Sequence, residues 1–112
     1  MIGNLSHIDQ LNTLLRQGQM RHEVISSNIA NVNTRNFKAK EIEFGDVLSQ
    51  LTGKSEGEIV EIEGLVARQD GNNVDMDKEL SKLTKNSLAY QTFAQIVASK
   101  LSTMRTAISG RS

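Results

Sequence analysis

The chain has 112 residues, with 13 Lys plus Arg against 13 Asp plus Glu, no Cys and 4% aromatic residues. That length suits one small domain, and the balanced charge excludes a phosphate-tracking nucleic-acid surface, which needs an excess of cations. The missing Cys excludes disulfides, thiolate metal sites and a thiol nucleophile, and the few aromatics leave a compact core short of large anchors.

The first predicted element is a long helix. Leu5, Ile8, Leu11, Leu15, Ile25, Ile29 and Val32 fall on alternating three- and four-residue steps, with Gly18 and His22 in the two intermediate positions. That is the seam of a helix packed against another helix. Ser6 followed by Asp9 predicts a capped start, so the helix is expected from about Ser6 to about Asn31, roughly 40 Å long at 1.5 Å per residue. Gly18 costs on the order of 1 kcal/mol against Ala, and lets a neighbouring backbone come close. The opening segment lacks the basic and continuous apolar regions of a secretory signal. No run of eighteen apolar residues predicts a membrane span. Any export is therefore expected to use a route without a cleaved signal.

The helix then runs into ISSNIANVNTRNFKAKEIEF, residues 25–44. Asn side chains bond to nearby backbone and tolerate left-handed φ, so they end helices where Gly otherwise serves. Asn31, Asn33 and Thr34 are expected to cap carbonyls and open a turn. Asn36 is expected in a left-handed conformation, and Phe37 to anchor the exit of the chain. The predicted outcome is a helix terminator with a fixed exit angle.

Residues 45–73 are a different material, with Gly45, Gly53, Gly57, Gly64 and Gly71. GEIVEIEG reads as one short strand, QDGNN as a turn. A small hairpin and a loop both fit, and a helical turn over Asp46 to Leu51 is a further option. The chain thus divides into 1–44, N-terminal helix and Asn-rich corner; 45–73, Gly-rich insert; and 74–112, C-terminal helix.

The last element is the clearest. Met76, Leu80, Leu83, Ser87, Tyr90, Ala94, Val97, Leu101, Met104 and Ile108 keep a 4,3 alternation without a break, which predicts a long helix with a coiled-coil-like seam. Asp75, Asp77 and Glu79 at its start and Lys100 and Arg105 near its end suit the helix dipole. Gly110 is the expected stop.

The predicted fold is mainly α, a coiled-coil-like pair of long terminal helices around a short irregular or small β insert. Two helices bury one stripe each and leave part of each stripe wet. The helices are therefore expected to complete their packing against other chains, through Leu11, Leu15, Ile25, Ile29, Leu83, Tyr90, Val97, Leu101 and Met104. A monomeric hairpin with the insert folded over the seam is the alternative. His7 and His22 lie about 22 Å apart along one helix and cannot share a metal ion. His22 is expected to be a partly buried polar residue of the seam. DGNNVDMDKE fails the calcium-loop spacing and reads as a turn into a helix cap. No catalytic constellation is present. Neither an enzyme, nor a cofactor, nor a small-molecule substrate is expected.

Asn28-Ile29-Ala30-Asn31, then Thr34, Phe37 and Lys38, resembles the N-terminal signature of the bacterial flagellar rod, hook and hook-associated proteins. Arg35 and Asn36 stand where that signature has Pro and Gly. Asn keeps a left-handed position accessible, whereas losing Pro releases φ. Asp70-Gly71-Asn72-Asn73-Val74-Asp75, Asn86-Ser87-Leu88, Tyr90-Gln91 and Glu41 to Phe44 are similar to the proximal subunits of the flagellar basal-body rod family. The resemblance implies a structural subunit that stacks into the torque-transmitting drive shaft. It implies a corner formed by Asn28, Ile29, Ala30, Asn31, Thr34 and Phe37. The implied partners are further copies, other rod subunits, the rod-to-membrane-ring adaptor and the flagellar export apparatus. The implied location is the periplasmic part of the basal body. A cytoplasmic helical binding module, an export chaperone or adaptor, is the competing reading.

Overall fold

The computed structural model describes residues 2–45 and 57–110, with side chains described from His7 onward. The order of elements is helix α1 (Ile2–Ala30), strand β1 (Lys40–Glu43), strand β2 (Glu58–Glu61) and helix α2 (Met76–Ile108). At 1.5 Å per residue α1 is about 44 Å long and α2 about 50 Å. Their pairing makes a molecule of 65 × 25 × 16 Å. Mainly helical, with two long helices and a small antiparallel sheet between them, it has the expected architecture.

α1 starts at Ile2, so Ser6 is inside the helix and not its cap. A capping pair read from sequence marks a start only where the preceding residues leave the helix, and here they do not. The other end agrees with the Asn-rich stop, since the regular helix closes at Ala30. α2 opens on the Asp75 cap, whose carboxylate accepts from the Lys78 N–H at 3.3 Å. Asp77 and Glu79 occupy its first turn and Arg105 its last. It closes at Gly110, with φ of 74°, whose N–H donates to the Ala107 carbonyl.

The helices run antiparallel. Gly18 of α1 faces Tyr90 and Asn86, whereas Val24 and Ile25, further along α1, share a groove with Lys82 and Lys85, earlier in α2. The two helices come close at Gly18. A β-carbon there sits only 3.2 Å from the Tyr90 ring, and the Gly18 carbonyl accepts from Asn86 Nδ2 at 2.8 Å. This contact sets the roll of α2. Along α2, Glu79 is buried and Leu83, Asn86, Ser87, Phe93, Ala94, Val97, Lys100 and Met104 are among the half-buried positions. Leu83, Val97 and Met104 belong to one row of the predicted seam. Its other row is mixed: Ser87 and Ala94 are half-buried, while Leu80 is 47% exposed, Leu101 48% and Ile108 74%; Tyr90, in the row of Leu83 and Val97, keeps 40% exposure although its ring lies against Gly18. On α1 the buried positions are Ile8, Gln17, Gly18, Val24, Ile25 and Asn28, with Leu11, Leu15 and Ile29 half-buried. His22 is exposed, not in the seam as expected. The close Gly18 contact turns the neighbouring Gln17 inward and leaves His22 on the rim.

β1 and β2 pair antiparallel in the register Lys40↔Glu61, Glu41↔Val60, Ile42↔Ile59 and Glu43↔Glu58. The predicted strand in GEIVEIEG is β2, and its partner is KEIE, which precedes the glycine-rich stretch. The helical turn weighed over Asp46 to Leu51 lies outside the described residues. The sheet is held to the helices by Phe44, which is buried beneath the Arg21 guanidinium at 4.7 Å from the ring centroid. Such a stacked cation is worth about 0.5–1 kcal/mol at a partly exposed site.

The core is thin. Its apolar members are Ile8, Val24, Ile25, Ala39, Phe44 and Val74, beside the buried polar residues Gln17, Asn28, Asn72 and Glu79. Glu79 Oε1 lies 3.5 Å from Lys82 Nζ, while its Oε2 and Gln17 Nε2 have no partner. Each unsatisfied buried polar atom costs about 1–3 kcal/mol. The helix pair carries these costs inside a small core.

Candidate functional site

The asparagines after α1 do more than stop a helix. Asn28, fully buried, forms a two-pronged clamp on Lys40: Nδ2 donates to its carbonyl at 2.8 Å, and Oδ1 accepts from its N–H at 3.0 Å. An Asn side chain thereby acts as a strand partner and welds the helix end to the start of β1. Asn31 Nδ2 donates to the Ser27 carbonyl at 2.7 Å, capping an orphan acceptor of the last turn. Thr34 Oγ1 donates to Asn31 Oδ1 at 3.0 Å, and the Thr34 N–H to the Asn31 carbonyl. Asn36 takes the left-handed conformation expected of it, with φ of 62°. Ile29 and Phe37 are half-buried and Ala30 is exposed. Phe37 carries Lys40 Nζ at 5.2 Å from its ring. The fully enclosed residue of the exit is Ala39.

The second half of the corner comes from the turn before α2. Asn72, fully buried, donates from Nδ2 to the carbonyls of Asn31 at 2.8 Å and Thr34 at 2.7 Å. Its Oδ1 accepts from the Val74 N–H at 2.8 Å. Asn73 Oδ1 accepts from the Ala39 N–H at 2.6 Å, and the Asn36 N–H donates to the Asp70 carbonyl at 2.9 Å. Lys38 Nζ donates to the Gly71 carbonyl. Arg68 donates to the carbonyls of Val32 and Val74, strapping the exit of α1 to the entry of α2. Its ion pair with Asp70, at 3.9 Å and half exposed, adds little.

Asp70 to Asn73 is therefore the other face of the joint as well as the turn into the α2 cap. Sequence reading took it only as the latter. Gly71 has a conformational reason to be there: its φ is +81°, and a β-carbon falls 2.2 Å from Asn36 Oδ1 and 3.3 Å from Asn36 Cα. The two left-handed residues, Asn36 and Gly71, lie against each other, and only one of them can carry a side chain.

The joint fixes how the two helices diverge from their shared end. Leu80, Leu101 and Ile108 are the exposed members of one heptad row of α2, with the half-buried Ser87 and Ala94 between them, and Leu88, 60% exposed, lies about 100° round the helix. Of the residues predicted to pack between subunits, Ile25 is buried. Leu11, Leu15, Ile29, Leu83, Val97 and Met104 are half-buried between the helices, and Tyr90 and Leu101 are exposed. Scattered apolar residues on a surface are ordinary. A row at heptad spacing along one helix is a face made for another helix. Among the described residues no three His, Asp or Glu side chains converge as a metal site, and no helix is long and apolar enough to cross a membrane.

Residues 15–38 match a family model described as flagella basal body rod protein. That segment is the second half of α1 plus the corner, with Asn28, Asn31, Thr34 and Phe37 inside it. A flagellar basal body rod protein FlgB of Bacillus subtilis (strain 168) is 30% identical over 120 residues, covering 92% of this chain and 93% of the relative. Another protein of that name, from Aeromonas hydrophila, is 36% identical over 109 residues, with 80% and 83% covered. One from Yersinia enterocolitica is 30% identical over 129 residues, with 87% and 94% covered.

Proposed function

The chain belongs to the flagellar basal-body rod protein family and is a structural subunit of the rod that serves motility; from that premise we propose that it assembles through the uncovered apolar row of α2. The observation that carries this reading is the exposure of Leu80, Leu101 and Ile108 at heptad spacing on a helix whose other face is already packed. A single partner helix covers only one side of so wide a stripe. A neighbouring subunit removes the rest from water, at about 25 cal/mol per Å² of apolar surface. The corner formed by Asn28, Ile29, Ala30, Asn31, Thr34 and Phe37 holds the helix pair at one angle, so that each copy presents the same face. Packed helices resist deformation, which suits a shaft carrying torque.

The protein associates with other rod components of the basal body. The finer assignments rest on family membership: passage through the flagellar export apparatus without a cleaved signal, a place in the periplasmic part of the rod, and contact with the rod-to-membrane-ring adaptor. Its work is mechanical, with no reaction and no cofactor.

Limited trypsin digestion tests the role of α2. Arg105 is exposed and lies one turn beyond Leu101 on α2. Cleavage after it is expected in the purified chain and is expected to stop in isolated basal bodies. Equal cleavage rates in the two settings contradict assembly through this row.

A further inference from the structure

The zero net charge of the chain conceals a segregation of charge. Between α1, β1 and α2 lies a groove of about 370 Å³ with Arg21, Lys40, Lys82 and Lys85 on its walls against one carboxylate, Glu41. Its floor is apolar, from Val24, Ile25 and Ile42. Lys82 is engaged with Glu79. Among the described residues the only other ion pair is Arg68–Asp70, so Arg21, Lys40 and Lys85 have no carboxylate partner.

The complementary surface is on the hairpin. Glu43 and Glu58 face each other directly in the β1–β2 register, at the loop end of the sheet, and both are exposed. Like charges directly opposed across a strand pair destabilise it. Among the described residues neither has a cationic partner. A local conflict of this kind, kept in a two-stranded sheet that has little stability to spare, is the signature of a site serving something other than the fold.

We infer that the Glu43–Glu58 pair of one copy docks against the cationic groove of a second copy. Charge complementarity selects the occupant. The pair brings two exposed carboxylates side by side, and the groove offers cations without a carboxylate partner. The two patches are different surfaces of one molecule, so the contact is heterologous. Repeated, it generates a ring or an open helix, not a closed two-fold dimer. The inference rests on the rod reading and supplies a second contact, polar and orienting, beside the apolar row. Such contacts set register and association rate more than total affinity, and salt screens them.

The test is sedimentation velocity of the full chain at low and high salt, with two reversed variants. One carries Glu43→Lys and Glu58→Lys, which keeps the like-charge opposition in the hairpin while changing its sign. The other carries Arg21→Glu and Lys85→Glu. Because Arg21 also covers Phe44, Lys85→Glu alone serves as a second groove variant, and helicity is followed for each. The wild-type chain is expected to self-associate at low salt and to weaken as salt rises. Each reversed variant alone is expected to associate at least about tenfold more weakly. An equimolar mixture of the hairpin-reversed and groove-reversed chains is expected to recover association, because each then meets an opposite sign. A monomeric wild-type chain at micromolar concentrations, reversals without effect, or recovery only with a different rod subunit overturns the inference. If Leu101→Lys abolishes association while the reversals leave it intact, the charged contact is wrong and the apolar-row reading survives. If neither change matters, both are wrong.

Discussion

Replacing Asn72 with Ala is expected to melt the corner and cost the chain about 3 kcal/mol. Asn72 is fully enclosed. Its Nδ2 serves the Asn31 and Thr34 carbonyls, and its Oδ1 serves the Val74 N–H. Each carbonyl keeps one backbone donor, from Thr34 and Phe37 respectively. Val74 is itself buried, so its N–H is the group left without a partner. Ala also leaves a hole that the two facing turns cannot close without losing the Asn36–Gly71 contact. Small domains of this kind hold only a few kcal/mol in reserve. A drop of this size is therefore expected to appear as a large shift of the urea midpoint with an unchanged slope. Amide exchange is expected to rise first at Asn36, Ala39 and Val74. A midpoint within about 0.5 kcal/mol of wild type, the range of an ordinary surface change, contradicts the role given to Asn72.

The second large effect falls on assembly and leaves the fold alone. Leu101→Lys sits on the outer row of α2, where the native side chain is already half exposed. Lys and Leu have similar helix propensity, so the lone chain is expected to keep its stability within about 0.5 kcal/mol. Under the proposed assembly the same position is covered in the rod. Covering the remaining half of the Leu contributes about 1 kcal/mol. Driving an ammonium into that contact costs several kcal/mol more unless it escapes to water. Every copy in the rod carries the defect, so the expected result is loss of incorporation and of swimming in a strain whose only copy is the variant. Unchanged unfolding together with lost motility is the pattern that separates an assembly face from a core position. Val97→Lys, half-buried between α1 and α2, is the contrasting variant and is expected to lose stability as well.

These two residues also show where local pattern stops being informative. The unbroken 4,3 alternation from Met76 to Ile108 is visible to anyone reading apolar residues, and α2 follows it. Which side of that stripe meets α1 is not visible, because the roll is set by polar groups. Asn86 reaches the Gly18 carbonyl, and Glu79 is enclosed near the helix start. A count of apolar positions passes over both, and assigns Leu101 to the same seam as Leu83 and Val97. The structure leaves Leu101 48% exposed while Leu83 and Val97 are half-buried.

The corner shows the same limit in another form. Asn28, Asn31, Thr34 and Asn36 announce a helix end through their short-range chemistry, and Asn36 adopts the left-handed φ that chemistry predicts. The partner of the Asn31 and Thr34 carbonyls, Asn72, is 41 residues from Asn31. DGNN looks like any turn before a helix cap. Nothing in its spacing says that its amides complete a joint begun before the hairpin. The signal that could have been used is the coincidence of two Asn-rich turns flanking one alternating segment, since each turn alone has more polar side chains than it can satisfy. The partner of β2 was equally close to view: KEIE alternates as GEIVEIEG does. The glycines between them drew the boundary at residue 45 and separated two strands that pair.

His22 shows a related limit. Heptad counting from Ile8 to Ile29 places it in the seam, but the close approach at Gly18 turns Gln17 inward and leaves His22 on the rim. Small residues in a seam shift the register of everything beside them, and a binary apolar pattern carries no term for that.

The central claim is that the outer row of α2 is open in the single chain and closed in the rod. Leu101→Cys tests it most directly, because the chain has no other thiol. The thiol is expected to react readily with a hydrophilic maleimide in the purified protein, and to be protected in isolated basal bodies until they are dissociated. A thiol that reacts as fast in the intact basal body as in the free chain contradicts the account.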